Sequence, residues 1–239
     1  MLGVCWHDHF EWSKTLKTDD VSLQESRQIL GYTYEIDPIL RMEGTKQDRW
    51  TALKRAYQLM EPELLKCGRD WTHPYFLDFG EHFSPIESIV WSELRSNRVA
   101  MYPEYPVQGR FIDFWNPALR VGLEADGREW HDRVRDTSRD QEIWNAVGGV
   151  VFRVTGAECN SRTEPPWELD ADHQDYSRDL ERWWMHSSAG VVRAISVAYG
   201  GIPGAGKSER EWALSSLTAH CLLPNSAEII GKQLSITLG

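Results

Sequence analysis

No two cysteines in this chain lie close enough to form a metal knuckle or a redox motif. Cys5, Cys67, Cys159 and Cys221 are scattered, with no C-x-x-C among them. Their spacing supports neither a zinc cluster nor a disulfide scaffold, so a reducing cytoplasm is the expected compartment. Long apolar runs are missing as well. No stretch approaches the ~18 residues of a membrane span, and Met1 to Phe10 (MLGVCWHDHF) has neither the basic start nor the apolar centre of a secretory signal. Positive charge is also scarce: 36 acids face 26 Lys plus Arg, a net charge of -10. That balance argues against a broad non-specific polyanion-binding surface. It leaves room for a local one, because Arg110, Arg120, Arg128, Arg133, Arg135, Arg139 and Arg153 gather in or near one stretch. The planar arginine fork suits phosphate.

A chain of 239 residues, 41% apolar and 26% charged, is long enough for one full core, or one core and a small appendage. Cys5, His7 and His9 lack a second half with ligand spacing, so the N-terminus reads as a polar-edged strand or a frayed end. Residues 21 to 70 read as mostly helical. Ser22 to Glu25 has capping-box spacing, and Gly31 to Asp37 alternates weakly, as a short strand would. Gly44 to Met60 places Trp50, Leu53, Ala56, Tyr57 and Met60 on one helical face; Pro62 to Cys67 continues it and Gly68 stops it. Residues 1–83 are therefore expected to form a mostly helical accessory region.

The informative stretch begins at Ser84-Pro85-Ile86-Glu87. Serine caps, proline suits a first turn, and a carboxylate at Glu87 favours a helix N-terminus, so a helix is expected to about Asn97. Glu87 has two readings: a cap, or a carboxylate reaching acids on neighbouring strands. Val99 to Pro106, with two prolines, reads as an extended approach to the first strand. Phe111 to Trp115 and Arg120 to Glu124 then read as a strand and its hairpin partner, turned at Asn116-Pro117. A polar run leads into a helix clearest from Ser138 to Ala146, ended by Gly148-Gly149, and Val150 to Val154 forms another strand.

Acids fall where they are costly. Asp113 shares a strand face with Phe111 and Trp115, and Glu124 and Asp126 point the same way along the next strand, about 6 to 7 Å apart. Carboxylates gathered in one place must protonate or take up a cation. His131, five residues beyond Asp126, is a candidate for acting on a phosphate or an activated water. On the helix, Arg135 with Arg139 and Asp132 with Asp136 are i,i+4 pairs, which a solvated ion-pair face also explains.

Further on, Trp167 to His186 reads as a helix, Gly190 to Gly200 as a strand or buried segment, Glu209 to Leu223 as a helix, and Ile229 to Leu238 as a short strand or tail. Residues 201–208, GIPGAGKS, match the P-loop pattern. Too few residues follow Ser208 here for the remaining nucleotide-hydrolysing machinery, so an anion-binding loop, or no ligand, is the expectation.

Taken together, Ser84-Pro85-Ile86-Glu87, Pro106 to Phe114, Glu124-Ala125-Asp126-Gly127, His131, Arg139-Asp140 and Val151-Phe152-Arg153-Val154 resemble the PD-(D/E)XK nuclease superfamily, in its very-short-patch-repair-like branch. The resemblance covers roughly residues 84 to 155. Two departures stand out: Gln108 follows the proline instead of preceding it, and Asp126 stands where the superfamily has its lysine. The resemblance implies an α/β fold with a mixed central sheet flanked by helices, a restriction-endonuclease-like core over 84–158 and a C-terminal helical extension over 159–239. It implies a deoxyribonuclease in which Asp113, Glu124, Glu87 and Asp126 hold Mg²⁺, with Mn²⁺ substituting, and in which His131 takes the place of the missing lysine. Arg110, Arg128, Arg133, Arg139 and Arg153 would face DNA, and the terminal regions would carry specificity or a protein partner. Two rivals are a nuclease fold that has given up cleavage and binds nucleic acid or protein, and a P-loop-like nucleotide-binding protein.

Overall fold

A computed structural model describes residues 43–68, 84–97, 99–127, 132–161, 186–199 and 206–238. The readings made for residues 1–42, for His131 and Arg128, for all of the Trp167 to His186 helix but its last residue and for most of GIPGAGKS lie outside the described residues. The chain divides into two compact units, Met1–Met60 with Trp71–His82 and Glu61–Asp70 with Phe83–Gly239. The boundary falls within helix α1 (Lys46–Cys67), whose buried Leu53, Ala56 and Tyr57 belong to the first unit. Pro62 sits inside α1 and Gly68 follows it at φ +60, as its sequence predicts.

The second unit is built on a mixed four-stranded sheet in the order β1-β2-β3-β4. Helix α2 (Pro85–Ser96) precedes it, and its capping box is complete: Ser84 Oγ accepts from Glu87 N at 3.4 Å and Glu87 Oε2 accepts from Ser84 N at 2.7 Å. Strands β1 (Tyr102–Val107) and β2 (Arg110–Asn116) form an antiparallel hairpin. Gln108 and Gly109 turn it, both at positive φ (+50 and +75), which matches the right-handed twist of the flanking strands. The segment read as an approach to the sheet is therefore a strand of it. Pro103 and Pro106 are tolerated because β1 is an edge strand, where a missing N–H need not break a ladder.

Asn116 turns the chain from β2 into β3 (Val121–Asp126). Fully buried, its Nδ2 donates to Ala100 O (2.7 Å) and Gly68 O (2.9 Å), and its Oδ1 accepts from Leu119 N (2.8 Å). Strand β3 runs antiparallel to β2 and parallel to β4 (Val150–Thr155), a pairing that needs a crossover. Helix α3 (Arg133–Val147) makes it, capped by Asp132 at its start and by Gly148 at φ +65 at its end. The strand, hairpin partner, helix, strand order expected from sequence is thus observed.

Alternation along the strands divides the unit. Leu123 pairs with Phe114, whose ring stacks on Trp91 of α2 at a centroid distance of 6.0 Å. Glu124 points to the opposite face, as does its register partner Arg153, and there both meet α3. Trp115 lies against two glycines: a Cβ on Gly149 would come within 2.4 Å of its ring, and one on Gly122 within 2.9 Å.

Beyond β4 come α4 (Gly156–Cys159), α5 (Ser188–Ala198), α6 (Lys207–Ala219) and α7 (Ser226–Leu238). Two readings are corrected here. Gly190 to Gly200, expected as a strand or buried segment, lies largely within α5, whose residues from Ser188 to Val197 are buried except Arg193. A short apolar run cannot be told from a strand by periodicity alone, and here Ser187, accepting from Gly190 N at 3.0 Å, starts a helix. Ile229 to Leu238 is likewise helical, held by Gln233, which donates to Leu119 O and accepts from Tyr199 Oη at 2.6 Å.

The end of α6 is clasped to the sheet. Cys221 bridges Phe152, and Arg153 N donates to His220 O at 2.9 Å. The buried His220 ring has an acceptor at each nitrogen: Ser216 O at 2.7 Å from Nδ1 and Glu158 Oε1 at 2.9 Å from Nε2. Both contacts are satisfied only by an imidazolium, which carries two N–H groups. Burial opposes the charge, but Glu158 and Ser216 outweigh it and raise the His220 pKa. Against the cost of burial, His220 and Thr155 hold the Glu158 carboxyl down to about 2. Cys159 and Cys221 are buried and free. Among the described residues, no helix is long and apolar enough to cross a membrane.

Candidate active site

The carboxylates are placed by the point where two strands stop pairing. The β2–β3 register runs from Asn116–Val121 to Phe114–Leu123, and past it Asp113 Oδ2 accepts from Ala125 N at 2.8 Å. A side chain thus takes a backbone donor beyond the ladder. Glu87 comes from the first turn of α2. Glu104 comes from β1, between Pro103 and Tyr105, which pair with Phe114 and Ile112, so its place in the register is opposite Asp113. It adopts φ +49, a left-handed conformation unusual for a non-glycine residue and rarely kept without a local reason.

One carboxylate oxygen from each of Glu87, Glu104 and Asp113 lies within 4.8 Å of the others. All three residues are half-buried. The pKa of Asp113 is pushed up to about 6. Burial is the main cause, with Glu87 and Asp126 adding to it, while the Ala125 N–H and Arg139 pull the other way. The two readings of Glu87 coexist in one side chain, which both caps α2 and faces the other acids.

Glu124 and Asp126 take different partners. Glu124, 6% exposed, forms an ion pair with Arg139 of α3. Asp126 accepts from Arg153 Nη1 at 3.0 and 3.3 Å. The same guanidinium grips Asp140 in a two-pronged contact, Nε to Oδ2 at 3.1 Å and Nη2 to Oδ1 at 3.0 Å, and Nη1 lies 3.9 Å from Asp136 Oδ2. Of the four expected metal ligands, then, Glu87 and Asp113 converge, while Glu124 and Asp126 are each engaged by an arginine.

Arg153 was expected to face DNA. It is 6% exposed and committed to carboxylates on β3 and α3, so its place is that of an internal clamp. Its guanidinium is held protonated, because the three aspartates more than offset burial. Arg139 is also turned inward, and burial, with the Arg153 charge beside it, lowers its pKa. Arg110 sits at the turn end of the hairpin and pairs with Glu142 at 2.6 Å. Arg133 is exposed in the first turn of α3.

Sequence reasoning missed three acids. Glu104 was hidden in a proline-broken segment, although it is the sole acid of Y-P-E-Y-P. Asp136 was paired with Asp132 on a face that solvated ion pairs explain, and Asp140 entered only with Arg139 as a piece of the resemblance. Asp136 and Asp140 are buried together with Ile143, at the i, i+4, i+7 spacing of an inward-facing stripe, and Asp132 separates from them as the helix cap. An acid at a core position of an amphipathic pattern was the available signal.

Comparison with known proteins found no matching family model, no matching curated protein and no matching solved structure.

Proposed function

We propose that the chain is a divalent-metal-dependent nuclease with a restriction-endonuclease-like core, acting on DNA phosphodiester bonds. The observation that carries this reading is the convergence of Glu87, Glu104 and Asp113 within 4.8 Å where the β2–β3 ladder ends. The donors are all carboxylate oxygens, hard ligands that suit Mg²⁺ or Mn²⁺. Three acids this close favour a bound cation, and Glu87 adds to the burial that raises the Asp113 pKa.

In this reading Glu87, Glu104 and Asp113 hold the ion, and Glu124 stands behind them. Once bound, the ion supplies Lewis acidity and neutralises charge at the phosphodiester. Arg133, exposed at the start of α3, attracts the backbone phosphates, and Arg153 keeps α3 fixed to the sheet beneath. His131, five residues beyond Asp126 in the sequence, is the candidate to accept the proton of the attacking water.

The test is plasmid and oligonucleotide cleavage with Mg²⁺ or Mn²⁺ against EDTA, with Glu104→Gln and Asp113→Asn beside the unchanged protein. Both variants should lose at least about a hundredfold in rate, since metal assistance carries most of the acceleration in such hydrolysis. Cleavage should also fall on the acid side, as protons compete with the cation for Asp113. Metal-independent cutting, or full activity in both variants, refutes the assignment. A second reading, a nuclease fold retired from cleavage that binds nucleic acid, is favoured by the engagement of Glu124 and Asp126 with arginines. It predicts DNA binding without cutting under every metal.

A further inference from the structure

We infer that Arg139 is the internal counter-ion of the acid cluster, a positioning residue that holds Glu124 in reserve and competes with a divalent cation for it. The inference rests on the metal-dependent reading above and adds to it a control on when the cation binds.

Charge balance is the first argument. Glu87, Glu104 and Asp113 converge, Glu124 pairs with Arg139, and Asp126, Asp136 and Asp140 surround Arg153. Among the described residues, Arg139 and Arg153 are the largely buried guanidiniums paired with these acids. Arg153 is spent on three aspartates, with its fork closed on Asp140. Arg139 carries a guanidinium charge that bears on both Glu124 and Asp113.

Position is the second argument. Arg139 pairs with Glu124 on β3, and its charge also bears on Asp113 of the neighbouring strand. It therefore acts on the reserve carboxylate and on one of the converging three. Asp140, the next residue along α3, is locked by Arg153, which pins the backbone from which Arg139 reaches. The Arg139 side chain is only 18% exposed, so its charge acts through a partly dehydrated path, where electrostatic interactions are strong. A guanidinium stays charged across the physiological range and cannot leave by losing a proton. It can only move to another anion. A phosphodiester entering the site is such an anion, and in accepting Arg139 it would free Glu124 to join Glu87, Glu104 and Asp113. Substrate and cation would then assist one another's binding, as linkage requires.

The experiment is calorimetric titration of Mn²⁺ into the full chain without nucleic acid, comparing the unchanged protein with Arg139→Gln, Arg139→Met and Glu124→Gln, each first checked for folding by circular dichroism and thermal melting. Removing the competing charge should tighten Mn²⁺ binding about tenfold or more in whichever neutral variant folds, by the Coulomb term of a part-buried site. Glu124→Gln should weaken it, because it removes the reserve ligand and turns Arg139 toward Asp113. Unchanged or weaker binding in the folded Arg139 variants overturns the inference while leaving the metal site standing, as does unchanged affinity in Glu124→Gln. If the unchanged protein and the neutral variants all bind no Mn²⁺, the nuclease reading fails and the inference falls with it.

Discussion

Replacing Arg153 with methionine should unfold much of what α3 contributes, and how it does so should be readable from pH. Arg153 is 6% exposed and its guanidinium touches Asp126, Asp136 and Asp140, of which the last is 1% exposed. Methionine fills part of the volume but leaves three carboxylates near one another without their cation. Breaking a buried ion pair from one side costs about 3–5 kcal/mol, since the stranded charge stays desolvated. In a chain of this size that corresponds to a fall in Tm of roughly 6–20 °C. Asp140 is already raised above its ordinary pKa by burial, with Arg153 pulling it down. Without Arg153 its folded pKa climbs further. A carboxyl whose folded pKa lies above its unfolded value stabilises the fold at low pH and loses that contribution as pH rises through the folded pKa. The variant should therefore be least stable at pH 8 and recover part of its loss by pH 5.5, in urea unfolding followed by far-UV circular dichroism. Adding Asp140→Asn should recover stability at pH 8 as well. A cavity alone would give a loss independent of pH. A deficit below about 1 kcal/mol, or one that stays the same from pH 8 to 5.5, would falsify the clamp assignment.

His220 is buried with an acceptor at each ring nitrogen and a raised pKa, so its contribution is complete below the unfolded value near 6.5 and is lost as pH rises through the folded pKa. Denaturation midpoints should fall on that alkaline side, and the fall should vanish in His220→Gln; the same slope in the variant assigns it elsewhere. Its partner Glu158, held down to about 2, acts in the opposite sense, with stability lost as pH drops below about 4.5. Gly149→Ala forces a methyl group against the buried Trp115 ring and should cost about 1–3 kcal/mol by urea unfolding, whereas Gly206→Ala, with open space at its Cβ, serves as the matched control. Equal stability in the two would show that the Trp115 ring gives way.

The local pattern specified the parts that depend on near neighbours. Alternation at Phe111 to Trp115 and Val121 to Asp126, the turn at Asn116-Pro117 and the stop at Gly148 were enough for the order of strands and helix. Ser84 to Glu87 sufficed for a helix start, because a capping box is closed within four residues. The pattern failed where local rules conflict with context. Pro103 and Pro106 argue against a strand, yet an edge position accepts them. Val191 to Val197 suits a strand, yet lies in a buried helix flanked by others.

For the site, residue types and spacing went as far as naming carboxylates that cannot stand together uncompensated, with Glu87 and Asp113 among them. Which acids meet, and which cation each one finds, was decided only when α3 crossed from β3 to β4 and brought Arg139 to Glu124 and the Asp136–Asp140 stripe to Arg153. Glu104 reached Asp113 through hairpin register, a pairing fixed by the Gln108-Gly109 turn. Charges interact through space with a strength set by distance and burial, and neither quantity exists along the chain until the chain has folded.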